Sequence, residues 1–250
     1  LIKQNFFVLF LLPLAIIGLI DDKLNLPRIT RYFVQLIISS IIIFSSEFIY
    51  QTLESYNLLL FLLIYFFLIF IGTGIINFIN FMDGIDGLVT GSFILILIYF
   101  SITTNPDFLI ICSTLISFLF FNWSPAKLFM GDTGSLYLGG LMVYLLSRSN
   151  SIEFCFSLFL ISSPLILDPL FCLIQRFKNK KNIFIAHKEH FYQRLHIKGF
   201  KHSLISKTYM VAILFLILCH YFGGLSILIM GLGIIIVIGF VINHLLLSDL

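Results

Sequence analysis

Long apolar runs separated by short polar stretches are the dominant pattern of this 250-residue chain. Runs suited to crossing about 30 Å of hydrocarbon recur near residues 5–20, 32–50, 58–79, 88–104, 108–122, 135–147, 153–175, 208–222 and 224–247. They predict an all-α fold, a polytopic transmembrane helical bundle of about nine spans within residues 1–250. Composition agrees: 60% hydrophobic residues, 11% charged and a mean hydropathy of +1.09 suit no soluble core. So many runs also exclude a single signal peptide or anchor.

With nine spans the connections alternate sides, and the loops near 21–31, 80–87, 123–134 and 176–207 share one face. Thirteen of the fifteen lysines and arginines fall in those four loops; only Lys3 and Arg148 lie opposite. By the positive-inside rule that face is cytoplasmic. The net charge of +3 is small and scattered, which argues against nucleic acid as a partner and leaves an anionic lipid headgroup or a nucleotide open. Cys112, Cys155, Cys172 and Cys219 all fall inside apolar runs and read as small packing residues, neither disulfides nor metal ligands.

Ionisable groups near membrane depth are costly and usually serve a task. Asp21, Asp22, Asp83, Asp86 and Asp132 belong to the basic face, with Asn77, Asn80, Asn122, His187 and His190, so an active site at that surface is expected. Glu47, Glu54, Asp107 and Glu153 read as ordinary boundary residues. Asp21 and Asp22 are adjacent carboxylates within reach of a headgroup, fit to act as a base or hold a cation, or simply a solvated helix end. In the run from Asn77 to Leu88, Asn77, Asn80 and Asp83 recur every three residues, and Gly84 and Gly87 would let backbone approach a ligand closely. Amide and carboxylate oxygens are the donors Mg²⁺ prefers, with Mn²⁺ as substitute; a polar glycine turn is the plainer reading. Gly131 and Gly134 flank Asp132 and free backbone to wrap a phosphate or metal, or make a turn, while Phe129 offers a face for base stacking. Gly139 and Gly140 read as close helix packing. His187 and His190 have a spacing that zinc accepts, but the sequence places no cysteine nearby, so binding of pyrophosphate together with Arg194 is the more economical reading, against a headgroup-facing basic loop. Lys198, Lys201, His202 and Lys207 suit that blander role. Asp168, beside Pro169 in an apolar run, either supports the site or answers a backbone break; Asn122 and Lys127 are further support candidates.

Taken in order, Asp21-Asp22, the run Asn-Phe-Ile-Asn-Phe-Met-Asp-Gly-Ile-Asp-Gly-Leu, the run Phe-Met-Gly-Asp-Thr-Gly-Ser and the late histidine motif resemble the polyprenyl-phosphate N-acetylhexosamine-1-phosphate transferases, the MraY/WecA-like superfamily of glycosyltransferase family 4. The resemblance implies a multi-pass protein of the bacterial inner membrane with a cytoplasmic active site. It would transfer an N-acetyl amino-sugar-1-phosphate from a UDP-sugar to undecaprenyl phosphate, releasing UMP, and so initiate O-antigen-like polysaccharide or peptidoglycan synthesis. It implies Mg²⁺ on Asp132 and Asn80, with Asp21 and Asp22 orienting or deprotonating the lipid phosphate. Asp86 would contact uracil with Phe129 stacked on it; Asn77 and Asp83 would shape that pocket; His187, His190 and Arg194 would meet the pyrophosphate or sugar. The motif His-x-x-His-x-Tyr-Gln-Arg-Leu departs from the consecutive histidines of the pentapeptide-sugar enzyme and is similar to surface-polysaccharide initiators, which points to UDP-GlcNAc or a deoxy amino sugar as donor. Because the chain opens at Leu1 directly in an apolar run, further spans and a cytoplasmic loop are expected upstream. A homodimer stays open.

Two rival readings weigh less. A transporter is expected to carry carboxylates at midplane helix breaks in corresponding halves, whereas the acids here gather in loops on one face. A non-catalytic membrane protein has no need of these aspartates. The Asp-Gly-x-x-Ala-Arg pattern of CDP-alcohol phosphotransferases is absent.

Overall fold

The computed structural model describes residues 6–182, 185 and 187–246, with backbone alone for residues 6–8. Every regular element among them is helical. A 3₁₀ turn at Phe6–Leu11 leads into α1 (Leu12–Leu24), then α2 (Arg28–Phe44), α3 (Glu47–Leu53), α4 (Leu58–Phe81), α5 (Leu88–Thr103), α6 (Leu109–Asn122), α7 (Gly131–Ser147), α8 (Ile152–Ile161), α9 (Ser163–Lys178), α10 (Phe191–Ile197) and α11 (His202–Leu246). The expected all-α class is borne out, for the reason that expectation rested on: in hydrocarbon, backbone N–H and C=O groups must be satisfied within each segment.

Leu58–Phe81 and His202–Leu246 are each long and apolar enough to cross a membrane. Large apolar side chains on both, such as Phe66, Phe67 and Phe70 on α4 and Val237 and Phe240 on α11, stay exposed, as lipid-facing positions do. The chain is a membrane protein.

Two runs predicted as continuous are instead bent by 68°. The run over 32–50 breaks after α2, where Ser46 takes extended backbone, accepts the Ile49 N–H at 3.2 Å and donates to the Ser147 carbonyl at 2.6 Å, so a new helix starts. The run over 153–175 breaks at Ser162, just ahead of Pro164 in the first turn of α9, the place where a helix tolerates proline. The predicted break near residue 223 coincides with Gly224, whose φ of 63° and ψ of −159° interrupt α11.

The chain forms two compact units, Leu1–Asn80 with Met130–Cys155, and Phe81–Phe129 with Phe156–Leu250. In the first, α1 packs along α7 with α2 beside both. The approach is close because Gly18 lacks a side chain: a Cβ there would stand 2.4 Å from the Asp132 carbonyl oxygen. Gly139 meets Ile76 in the same way, at 2.7 Å from its Cα, so the Gly139-Gly140 pair serves packing, as expected. Ile43, Leu53, Tyr65 and Ile69 form a separate apolar cluster in this unit. In the second unit α5 packs against α6 and α11, and α9 and α10 pack against α11.

Candidate active site

The first unit gathers Asp21, Asp22, Arg31, Asn80 and Asp132 from three separate stretches of chain. Asp21 and Asp22 lie in the last turn of α1, at the negative end of the helix dipole, where a carboxylate is unfavourable unless it is answered. Asp21 is answered by the Leu26 N–H and by Arg31 Nη1, both at 2.6 Å. The turn that makes this possible is Asn25, whose left-handed φ of 50° ends α1 with its N–H on the Asp21 carbonyl. Arg31 Nη1 also donates to Asp132 Oδ2, so one guanidinium holds two carboxylates.

Asp22 does a different job. Its carboxylate accepts the backbone N–H groups of Asp132 (3.1 Å) and Thr133 (3.3 Å) and the Thr133 hydroxyl (3.0 Å). Met130, at the N-cap of α7, makes no side-chain cap, so Asp22 supplies the cap from another helix and adds its charge to the positive end of the dipole. Gly131 is required beside it: its φ is 62°, and a Cβ would lie 2.7 Å from Asp22 Oδ2. The backbone freedom expected of this glycine therefore accommodates an aspartate of the same unit.

Asn80, in the last turn of α4, donates to Asp132 Oδ1 and to the Ser135 hydroxyl, each at 2.9 Å, and Ser135 donates onward to the Gly131 carbonyl. Asn77, one turn earlier, donates to Gln35 Oε1 at 2.6 Å and to the Thr73 carbonyl at 2.8 Å. Burial pushes the Asp132 carboxyl up; the Asn80 hydrogen bond and the Arg31 charge oppose this, while Asp21 adds to it. Asp132, Asp21 and Asn80 form a hard oxygen donor set, which fits Mg²⁺ once the Asn80 amide turns end for end to present Oδ1.

In the second unit, Asp83, Gly84, Asp86 and Gly87 form the turn between α4 and α5. Asp86 Oδ2 accepts the Ala126 N–H at 3.2 Å and lies 3.2 Å from His202 Nδ1, and its carbonyl accepts the Ser206 hydroxyl at 2.7 Å. Asn122, buried, accepts the Gly87 N–H and the Thr90 hydroxyl and donates to the Leu128 carbonyl, which fixes this turn against the 123–129 loop. On that loop Lys127 is exposed and Phe129 is 73% exposed, an open ring face. Gly84 and Gly87 make room for protein as well: a Cβ on Gly84 would stand 2.3 Å from the Tyr192 hydroxyl, and one on Gly87 (φ 72°) 2.8 Å from Trp123.

The histidine stretch is mounted on Asp168. This buried carboxylate of α9 accepts the N–H groups of Phe191 (2.7 Å) and Tyr192 (3.1 Å) and the Tyr209 hydroxyl (2.6 Å), which caps α10 and ties α9, α10 and α11 together. These contacts of Asp168 run to α10 and α11. Tyr192 donates to the Phe81 carbonyl at 2.8 Å, so the same helix also fixes the start of the Asp83–Gly87 turn. Arg194 donates to Asn243 Oδ1 at 2.7 Å. Arg176 clamps the preceding loop through Glu189 and the Asn182 carbonyl. Burial lowers the His187 imidazole, with His190 next in effect, and pulls His190 down to about 4. Below α9's Pro169 one reading changes: Cys172 Sγ lies 3.8 Å from His187 Nδ1, so a cysteine does stand near the histidines.

Sequence reasoning missed Arg31, Thr133, Tyr192, Tyr209 and the contact of His202 with Asp86. Arg31 entered only as one basic charge among thirteen, and His202 as part of a basic loop. Spacing carries little signal for such contacts, because Thr133 meets Asp22 and Tyr192 meets Phe81 across 111 residues each.

Fold and site together therefore describe a helical membrane protein whose first unit holds two aspartates on one arginine while a third caps the neighbouring helix. Residues 5–150 match the family model described as glycosyl transferase family 4, and the chain belongs to that family. It is 30% identical to a probable undecaprenyl-phosphate N-acetylglucosaminyl 1-phosphate transferase of Bacillus subtilis (strain 168), over 81% of this chain and 61% of that protein. It is also 30% identical to the phospho-N-acetylmuramoyl-pentapeptide-transferase of Dictyoglomus thermophilum, over 89% of this chain and 76% of the relative. A third relative, the enzyme of the same name from Clostridium novyi, is 37% identical over 51% of this chain and 46% of its own length.

Proposed function

We propose that the chain transfers an N-acetyl amino-sugar-1-phosphate from a UDP-sugar to undecaprenyl phosphate at the cytoplasmic face of a bacterial plasma membrane, forming the lipid-linked sugar pyrophosphate that starts envelope polysaccharide or peptidoglycan synthesis. The observation that carries this reading is the convergence of Asp21 and Asp132 on Arg31, with Asn80 bonded to Asp132. Phosphoryl transfer needs such a cluster: carboxylates and an amide to hold a cation, and a fixed cation of the protein's own, gathered where charge develops.

An oxygen of the lipid phosphate attacks the phosphorus that bears the sugar, the bond from that phosphorus to the oxygen bridging it to UMP breaks, and UMP departs with the electron pair. Mg²⁺, when bound by Asp132 and Asn80, supplies charge neutralisation to the donor pyrophosphate. Arg31 offers the lipid phosphate a bidentate partner, and Asp21 orients that guanidinium. Asp22, by capping α7, positions Asp132. In the second unit, Asp86 and Phe129 are assigned to uracil with Asp83 beside them, and His187, His190 and Arg194 to pyrophosphate or sugar.

The test is UMP release by the protein in nanodiscs with undecaprenyl phosphate, Mg²⁺ and a panel of UDP-amino sugars. Release with one donor, lost on adding a chelator and in Asp132→Ala, is expected. A folded protein that releases no UMP with any donor, or an Asp132→Ala variant as active as the parent, overturns the proposal.

A further inference from the structure

We propose that Cys172, His187 and His190 form a binding site for a zinc-class transition metal, with three protein ligands and a fourth position open to water or an anionic oxygen. The proposal does not rest on the transferase reading, although it shares His187 and His190 with the pyrophosphate or sugar assigned there, which the open fourth position would meet as an anionic oxygen; its ion is distinct from the Mg²⁺ assigned to Asp132 and Asn80. One donor atom from each of the three residues lies within 4.8 Å of the others, and Cys172 Sγ is 3.8 Å from His187 Nδ1. Around a tetrahedral zinc with Zn–S of about 2.3 Å and Zn–N of about 2.0 Å, a sulfur and a nitrogen ligand stand about 3.5 Å apart. The cysteine and first histidine are therefore almost at ligand spacing, and the third donor has a short way to close.

The chemistry of the set selects the metal. One thiolate and two imidazoles suit Zn²⁺ and its neighbours, whereas Mg²⁺ seeks oxygen. A second observation points the same way: His190, with its side chain only 5% exposed, has an Nδ1 that makes no hydrogen bond among the described residues. The Asp168 carboxylate stands 3.9 Å from that nitrogen. A metal-bound histidine commonly gives its other ring nitrogen to a carboxylate, which orients the ring. A ring rotation that brought Nδ1 to Asp168 would leave Nε2 for the metal.

The surroundings favour occupancy. Phe81 and Tyr192 flank the His190 ring, with centroids at 5.8 and 5.9 Å, and restrict water. Arg176 pins the intervening loop through Glu189 and the Asn182 carbonyl, so ligands from α9 and from the 187–190 stretch are held together beforehand. The competing account is a weak S–H hydrogen bond from Cys172 to His187, with no ion.

Cobalt titration of the chelator-treated protein in detergent separates the two. One equivalent of Co²⁺ is expected to give a thiolate-to-cobalt charge-transfer band with the intense visible bands of a tetrahedral site. Zn²⁺ should erase them and excess Mg²⁺ should not. Cys172→Ser loses the charge-transfer band, while Cys155→Ser and Cys219→Ser keep it. Should Cys172→Ser fail to elute as a folded monodisperse species, His187→Ala serves as the deciding variant and is expected to lose the visible bands. Absence of the band in folded wild-type protein, its survival in the deciding variant, or equal displacement by Mg²⁺ overturns the proposal. None of these readouts depends on UMP release, so the transferase reading stands or falls separately.

Discussion

Replacing Asp168 by alanine should detach α10 from its mounting while leaving the rest of the chain folded. The carboxylate accepts two backbone N–H groups and one tyrosine hydroxyl at 2.6 to 3.1 Å, two of the three fully buried. Hydrogen bonds to a charged acceptor contribute about 1.5–3 kcal/mol each, so the gross loss is several kcal/mol. Removing a buried carboxylate also removes its desolvation cost, which offsets part of that loss. We expect a net local destabilisation of about 3 kcal/mol, equal to roughly a hundredfold rise in the opening of the segment that carries His190 and Arg194. Asp168→Asn keeps an acceptor for at most two of the three donors and turns an N–H₂ toward the third, so about 1–2 kcal/mol is expected. Hydrogen exchange read by mass spectrometry on peptides spanning 187–197 measures this directly, with peptides from Leu109–Asn122 as control. Unchanged exchange over 187–197 in Asp168→Ala would refute the mounting role. Equal acceleration in both peptides would refute it too, since the carboxylate would then stabilise the whole protein instead of holding one helix.

Further predictions follow from single contacts. Gly84→Ala drives a methyl against the Tyr192 hydroxyl, 2.3 Å from the new Cβ, and should cost about 1–3 kcal/mol in thermal denaturation; most of that should vanish in the background of Tyr192→Phe. Gly131→Ala imposes a left-handed conformation on an L-residue and crowds Asp22, with an expected loss of at least about 1–2 kcal/mol; a melting temperature within error of the parent would contradict it. Because His190 titrates near 4 in the folded chain against 6.5 unfolded, the metal-free protein keeps this contribution to stability above pH 6.5 and loses it as the pH falls toward 4. The loss amounts to about 3 kcal/mol and should be smaller in His190→Gln, as read from denaturation midpoints across that window. Arg31→Ala leaves Asp21 and Asp132 without their shared cation and removes the bidentate fork, so UMP release should fall most there; Arg31→Lys keeps the charge without the fork and should recover only part of the loss, and full activity in either variant would contradict the role given to Arg31.

Much of the fold was legible because it depends on local quantities. The lengths of the apolar runs and their punctuation led to helices in much the same places, and the gap between the runs at 208–222 and 224–247 met a real break at Gly224. Ser46 and Ser162 were harder, since a serine inside an apolar run reads equally well as helix and as a new start. At Ser46 the choice is settled by the Ser147 carbonyl, 101 residues away. The acidic and amide motifs were visible as unusual polar residues near membrane depth, and the family resemblance followed from their order.

Three features emerge only when the helices pack. One is the division of labour between the adjacent Asp21 and Asp22: the first pairs with Arg31 and the second caps α7, a distinction that a dipeptide cannot encode. Another is the meaning of the glycines, since Gly84, Gly87 and Gly131 accommodate Tyr192, Trp123 and Asp22 from distant parts of the chain. The last is the neighbourhood of the histidines, where Cys172 and Asp168 come close from α9. Helices, membrane setting and candidate chemistry were thus readable from the residues alone, because apolar length and the burial cost of charge are properties of each segment. Which partner satisfies each buried polar group depends on the crossing of helices remote in sequence, and only the folded chain brings those partners within hydrogen-bond distance.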